Sequence, residues 1–157
     1  MSVKTNVSPK RLLGILRKGP SSFNARENSG TEFAAEIWRE FVGKLIANGI
    51  PVMQDLYGVS WPADEQTPPQ QIFYFCGFES NQNDSAFEEL MLEGGNYFDY
   101  LCETPADNLD AGFKAAYMEA LPNSGLSPRD GQHLEIYGRE YDPNSKIAKF
   151  RILIPVQ

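Results

Sequence analysis

The sequence is poor in the residues that build metal centres and catalytic triads. It holds one histidine, His133, and two cysteines, Cys76 and Cys102, with no Cys-x-x-Cys pair. A Cys/His zinc cluster needs more ligands than that inventory supplies. Both cysteines sit inside apolar runs, where reduced packing residues are commoner than reactive ones. His133 stands alone, so no Ser-His-Asp arrangement can be argued, and it fits equally well as a surface residue flanking a strand. No metal and no cofactor is expected.

Basic charge is also short. Lys and Arg total 14 against 21 Asp and Glu, a net charge of −7. A phosphate-tracking surface wants the opposite balance, so no direct nucleic-acid partner is expected. A negative field attracts cations, although the same charge also serves plain solubility. No apolar run reaches the length of a membrane span, and the start MSVKTNVSPK lacks a signal peptide's apolar core. The expectation is a cytoplasmic protein with no membrane partner.

Aromatic residues are plentiful: ten Phe, seven Tyr and two Trp. With 41% hydrophobic residues in 157, the chain can bury a core as a single domain. Tyr and Trp join an apolar body to a polar tip, which suits a pocket that must be both greasy and selective.

The chain carries two helical stripes. Phe33, Ile37, Phe41 and Leu45 recur every fourth residue, widened by Trp38 and Val42. Ser29 to Glu32 reads as a capping box, and Gly49 as the left-handed terminator. Leu109, Phe113, Tyr117 and Leu121 form the second stripe, with Thr104 before Pro105 as the N-cap and Gly125 as the terminator. These spacings predict helices near Glu32–Asn48 and Asp107–Leu121.

After each helix comes a strand with related wording, DLYG at 55–58 and EIYG at 135–138. A turn-rich loop and a further strand follow each, QIFYFCGF from Gln71 and KIAKFRILIPV from Lys146. Apolar strands precede the helices, RLLGIL from Arg11 and NYFDYLC from Asn96. The reading is an α+β fold built as a tandem β-α-β-β repeat with pseudo-two-fold symmetry, its halves about 8–78 and 95–157. Ser85 to Glu93 reads as either a short helix or an extended lead-in.

Strand side chains alternate between faces. In a strand from His133 to Tyr141, helices must cover the apolar side, so Leu134 and Ile136 are expected to face them. Glu135 and Tyr137 then share the other side, as do Asp55 and Tyr57 in the related strand. Phe73 and Phe75 lie on one face of their strand, and Ile72, Tyr74 and Cys76 on the other. Antiparallel sheet with helices on one face leaves the opposite face as a ligand groove, holding Glu135, Tyr137, Tyr57, Asp55, Phe73 and Phe75. A carboxylate among rings suits an organic cation, through charge pairing and cation–π attraction. A solvated outer face explains alternating Glu and Tyr as simply.

Gly95-Asn96-Tyr97, the helix to Leu121, Pro122-Asn123-Ser124-Gly125, Leu134-Glu135-Ile136-Tyr137 and Ile154-Pro155-Val156 occur in that order. This ordered set resembles the GyrI-like family, the effector-binding domains of AraC- and MerR-type multidrug regulators, which also occur free-standing. Gly14, Trp38 and Gly49 extend the resemblance into the first half. It implies tandem β-α-β-β units around a groove for hydrophobic, often cationic, small molecules, with the Glu-x-Tyr glutamate, here Glu135, as charge partner. Where the family often has Gly-Pro after the Gly-x-Tyr strand, this chain has Glu103-Thr104-Pro105. No helix-turn-helix fits before Arg11, so a DNA-binding module would have to come from a partner.

Three functions follow as expectations. The first is a free-standing module that senses or sequesters a hydrophobic, cationic compound. The second is a hydrolase of reactive electrophiles, as some relatives are, with Glu135 as base and Tyr137 or Tyr57 as proton donor. The third is an acidic protein that inhibits a basic partner.

Overall fold

The computed structural model of the protein describes residues 2–21 and 29–157. In chain order its strands are β1 (Ser2–Val7), β2 (Lys10–Pro20), β3 (Leu56–Pro62), β4 (Gln71–Glu79), β5 (Glu88–Leu92), β6 (Gly95–Pro105), β7 (His133–Tyr137) and β8 (Ile147–Pro155). Helix α1 spans Ser29–Ala47 between β2 and β3. Between β6 and β7, α2 (Leu109–Lys114) runs through a π-helical segment, Ala115–Ala120, into α3 (Leu121–Ser124). The order strand-helix-strand-strand therefore occurs twice, as β2-α1-β3-β4 and as β6-α2/α3-β7-β8.

All eight strands form one antiparallel sheet in the order β1-β6-β8-β7-β3-β4-β2-β5. Two strands fall outside the halves expected from sequence, and each crosses over. β1 pairs with β6 of the second half, and β5 with β2 of the first. The segment from Ser85 to Glu93 thus resolves as mostly extended chain. It carries Leu90 and Leu92 into the same core cluster.

The sheet cannot be flat. β5 and β6 lie six places apart in the strand order, roughly 29 Å at the usual interstrand spacing. Yet only Glu93 and Gly94 connect them, a link that reaches about 11 Å at most. The sheet must curl until its ends approach one another. Gly94 marks the closure: a Cβ there would lie 2.5 Å from the Val7 carbonyl oxygen. Arg129 clasps the same place, donating from Nε to the Val156 carbonyl at 2.9 Å and from Nη2 to that of Asn96 at 3.1 Å.

Curling turns the helix-free face into an interior. Leu12, Tyr57, Val59, Phe75, Leu92, Tyr97, Leu134 and Leu153 are buried together there. The opposite face carries both helices. α1 packs Ile37, Phe41 and Leu45 on Leu13, Ile15, Cys76 and Phe78. The second helix packs Leu109, Phe113, Tyr117 and Leu121 on Phe98, Cys102, Phe150 and Ile152. Both cysteines are buried free thiols. The α+β class, the antiparallel sheet and the helices on one face match the sequence reading.

Several expectations need correction. The capping box from Ser29 to Glu32 lies partly outside the described residues. At the second helix the N-cap is Asn108, whose side chain accepts from the Ala111 amide at 3.3 Å. Thr104 instead lies in β6, one residue before its end at Pro105, and donates its hydroxyl to the Asn108 carbonyl at 2.9 Å. β6 simply runs further than the apolar residues alone indicate. Asn108→Ala should lower stability by about 1 kcal/mol in urea denaturation, the usual value of a side-chain N-cap. Thr104→Val should leave the helix start in place.

The π-helical segment has a local cause. Pro122 has no amide hydrogen, and its ring would crowd the carbonyl of Met118 in a regular α-helix. The chain widens just before it, so that the Leu121 amide reaches back to the Ala116 carbonyl. Gly125 then ends α3 with φ 76°, as Gly49 follows α1 with φ 69°.

Candidate functional site

β7 sits at the middle of the sheet, paired with β8 on one side and β3 on the other. Its facing is the reverse of the expectation. Leu134 is buried in the helix-free interior, with Ile136 packed against it. Glu135 and Tyr137 point to the helix side, where Tyr137 meets Trp38 of α1 at 5.0 Å between ring centroids. The more apolar side of β7 does not face the helices here. In a curled sheet the other face is buried as well.

Glu135 is part-buried, and both carboxylate oxygens accept hydrogen bonds from tyrosines. Tyr137 donates to Oε1 at 2.6 Å and Tyr74 of β4 to Oε2 at 2.9 Å. The Trp38 indole donates in turn to the Tyr74 hydroxyl at 2.8 Å. Tyr137 stacks on Phe150 of β8 at 4.8 Å. No Lys or Arg forms an ion pair with Glu135 among the described residues. Among the described residues, the site is a carboxylate in an aromatic frame without a paired cation.

Glycine makes the room. Gly58 of β3 lies directly opposite Glu135. A Cβ on Gly58 would come within 2.7 Å of the Tyr74 hydroxyl, 3.3 Å of the Glu135 carboxyl carbon and 3.3 Å of the Trp38 ring. A glycine inside a strand often marks such a close approach. The floor beside it is small too, because Ser60 is the next β3 residue on that face and lies opposite His133.

The second helix bounds the other side. Tyr117, in the π-helical segment, brings its hydroxyl 2.8 Å from His133 Nδ1, and the two rings stack at 5.8 Å. The site thus draws side chains from α1, β3, β4, β7 and the second helix.

Protonation follows from this packing. Burial pushes the Glu135 carboxyl above its ordinary value, and the hydrogen bonds from Tyr137 and Tyr74 oppose the shift. Burial and the neighbouring carboxylate hold the Tyr74 and Tyr137 hydroxyls far into the protonated range. His133 is lowered to about 4, mainly by burial and secondarily by Arg129. It is neutral at physiological pH.

Of the six residues expected in the groove, only Tyr137 joins Glu135. Tyr57 and Phe75 are buried in the helix-free interior. Phe73 shares that face and pairs with Trp61 at 5.6 Å. Asp55 is exposed just before β3, near Gly138. Burial and the charges of Asp55 and Glu79 push the Tyr57 hydroxyl up to about 12, on the face of the sheet opposite Glu135. A groove on the helix-free face is therefore not the place these two residues share.

Tyr74, Trp38, Tyr117, Gly58 and His133 were absent from the sequence-derived set. One signal was available: Tyr74 alternates with Phe73 and Phe75, and therefore faces the helices if those do not. Gly58 inside the strand was another.

The chain is similar to known proteins in sequence and in fold. The Right origin-binding protein of Escherichia coli is 25% identical over 131 residues, covering 80% of this chain. The chain spans 44% of that protein's length. A solved structure of SAV2435 bound to tetraphenylphosphonium superposes with a TM-score of 0.73 at 12% identity, covering 100% of this chain and 94% of that one. A hydrolase from Listeria innocua superposes with a TM-score of 0.54 at 13% identity, covering 99% and 91%. The model of the GyrI-like small molecule binding domain matches residues 3–157, and the chain belongs to that family.

Proposed function

We propose that this domain binds a hydrophobic organic cation on the helix side of its sheet, with Glu135 as the counter-charge. The observation that carries the proposal is the state of Glu135: a part-buried carboxylate, hydrogen-bonded by two tyrosines and without a cationic side chain paired to it among the described residues. Burying a carboxylate costs free energy unless it is paired, and a cationic ligand supplies the missing partner. Trp38, Tyr74, Tyr137 and Tyr117 offer ring faces and apolar area around it. That a structural neighbour holds tetraphenylphosphonium makes this cation the natural probe.

Trp38 reports on the site. Tetraphenylphosphonium should change tryptophan fluorescence saturably in the wild type and in Trp61→Phe, because Trp61 belongs to the other face. Trp38→Phe should lose the signal, while calorimetry still detects binding. A signal that survives in Trp38→Phe and disappears in Trp61→Phe would place the ligand elsewhere.

Binding should also depend on pH in one direction. A cation favours ionised Glu135 and pulls its raised pKa down, so binding releases protons. Affinity should be full above the raised carboxyl pKa and fall as pH drops through it. His133 adds no charge until about pH 4. Isothermal titration in buffers of different ionisation enthalpy measures the released protons, and their absence would contradict the counter-charge role. Product formation from a reactive ester, abolished by Glu135→Gln, would instead favour the hydrolase reading.

A further inference from the structure

Beside Glu135, on the same face, the sheet carries two polar groups with open hydrogen-bonding capacity. His133 Nδ1 is engaged by the Tyr117 hydroxyl, and Nε2 has no hydrogen-bond partner among the described residues. Ser60 Oγ has none either among those residues. Both residues are part-buried, and no fully buried side-chain nitrogen or oxygen among the described residues lacks a partner. Nε2 and Oγ therefore reach solvent.

Their placement is fixed by register. Ser60 and His133 are direct cross-strand partners, just as Gly58 and Glu135 are. Directly opposed side chains on one face stand about 5 Å apart at Cβ. The two pairs lie two residues apart along the strands, a step of about 7 Å. Trp38 and Tyr74 flank this strip on one side and Tyr117 on the other. The strip thus presents charge at one position and neutral hydrogen bonding one step further on.

We propose that the ligand is bifunctional: an organic cation carrying a neutral hydrogen-bonding group about 7 Å from its charge, held by Glu135 at the charge and by His133 and Ser60 at the polar end. This rests on the cation-binding reading above and narrows it. The Tyr117 contact fixes the imidazole ring plane, so Nε2 is presented without a further ordering cost. A histidine that stays neutral beside the carboxylate offers a hydrogen bond without repelling the cation. Ser60 can donate or accept. A carboxamide, alcohol or carbonyl group meets this pair, whereas an all-hydrocarbon cation leaves both groups unmatched.

The test uses two triphenylphosphonium cations of equal shape. One ends its alkyl tail in a carboxamide about 7 Å from phosphorus, the other in an isosteric branched alkyl group. Calorimetry gives the ratio of their dissociation constants for the wild type, His133→Phe and Ser60→Ala. The ratio should shift against the carboxamide by about ten-fold in His133→Phe and by a few-fold in Ser60→Ala, as for loss of a hydrogen-bonding partner. The ratio is the readout rather than either affinity alone, because both substitutions alter surface that the two cations share. Ser60→Ala leaves the Tyr117–His133 contact intact and keeps the test decisive if His133→Phe misfolds. An unchanged ratio in a folded variant overturns the proposal while leaving cation binding at Glu135 standing. No binding of either cation to the wild type overturns both.

Discussion

Glu135→Gln should weaken binding of a hydrophobic cation by about 1–3 kcal/mol, roughly ten- to hundred-fold. Glutamine keeps the shape and an acceptor oxygen for Tyr74 or Tyr137, but it removes the charge. A neutral ligand of the same outline should lose much less. Equal losses for charged and neutral ligands would mean general damage to the site. No loss for either would return Glu135 to being an ordinary strand residue.

The same substitution should act in the opposite direction on the unliganded protein. A carboxyl whose folded pKa lies above its unfolded value binds protons more tightly when folded. Its contribution to stability is most favourable below the unfolded value and is lost as pH rises through the raised folded one. At neutral pH the charge is therefore a cost that the fold carries. Glu135→Gln should unfold at a temperature no lower than wild type at pH 7, and the difference should shrink toward pH 4. A melting temperature that falls at pH 7 would mean the two tyrosine hydrogen bonds outweigh desolvation. Such an exchange of stability for binding is common where a site holds a buried charge ready.

Phe150→Ala should have the largest effect on stability, about 3–5 kcal/mol, as for other aromatic truncations in cores. Phe150 is fully buried on β8, stacked on Tyr137 at 4.8 Å and in ring contact with Phe113 at 5.8 Å. Its loss leaves a cavity between the second helix and the sheet, directly behind the tyrosine that donates to Glu135. Urea denaturation should show a lower midpoint at unchanged slope. Cation affinity should fall as well, because Tyr137 loses the ring that holds its plane. A stability loss below about 1 kcal/mol would mean that neighbouring side chains close the cavity completely. Phe113→Ala should cost less, since Phe113 is only part-buried.

The sequence alone determined the local elements, because these depend on short-range chemistry. The stripes from Phe33 to Leu45 and from Leu109 to Leu121 are helical in the structure. Gly49 and Gly125 adopt the left-handed conformation that glycine permits at low cost. Glu135 and Tyr137 were legible as a pair, since alternate residues of any strand share a face. Which face they share was decided only by the tertiary structure. Strand alternation separates two sides without saying which side a helix covers, and here both sides are buried. The helix-free side is buried because β1 and β5 cross over and curl the sheet, a long-range pairing that no short window of sequence contains. Trp38, Tyr74 and Gly58 come from separate elements for the same reason. They meet Glu135 only after α1 is laid across the paired β3, β4 and β7, and the gap that glycine leaves opposite a carboxylate exists only in that assembly.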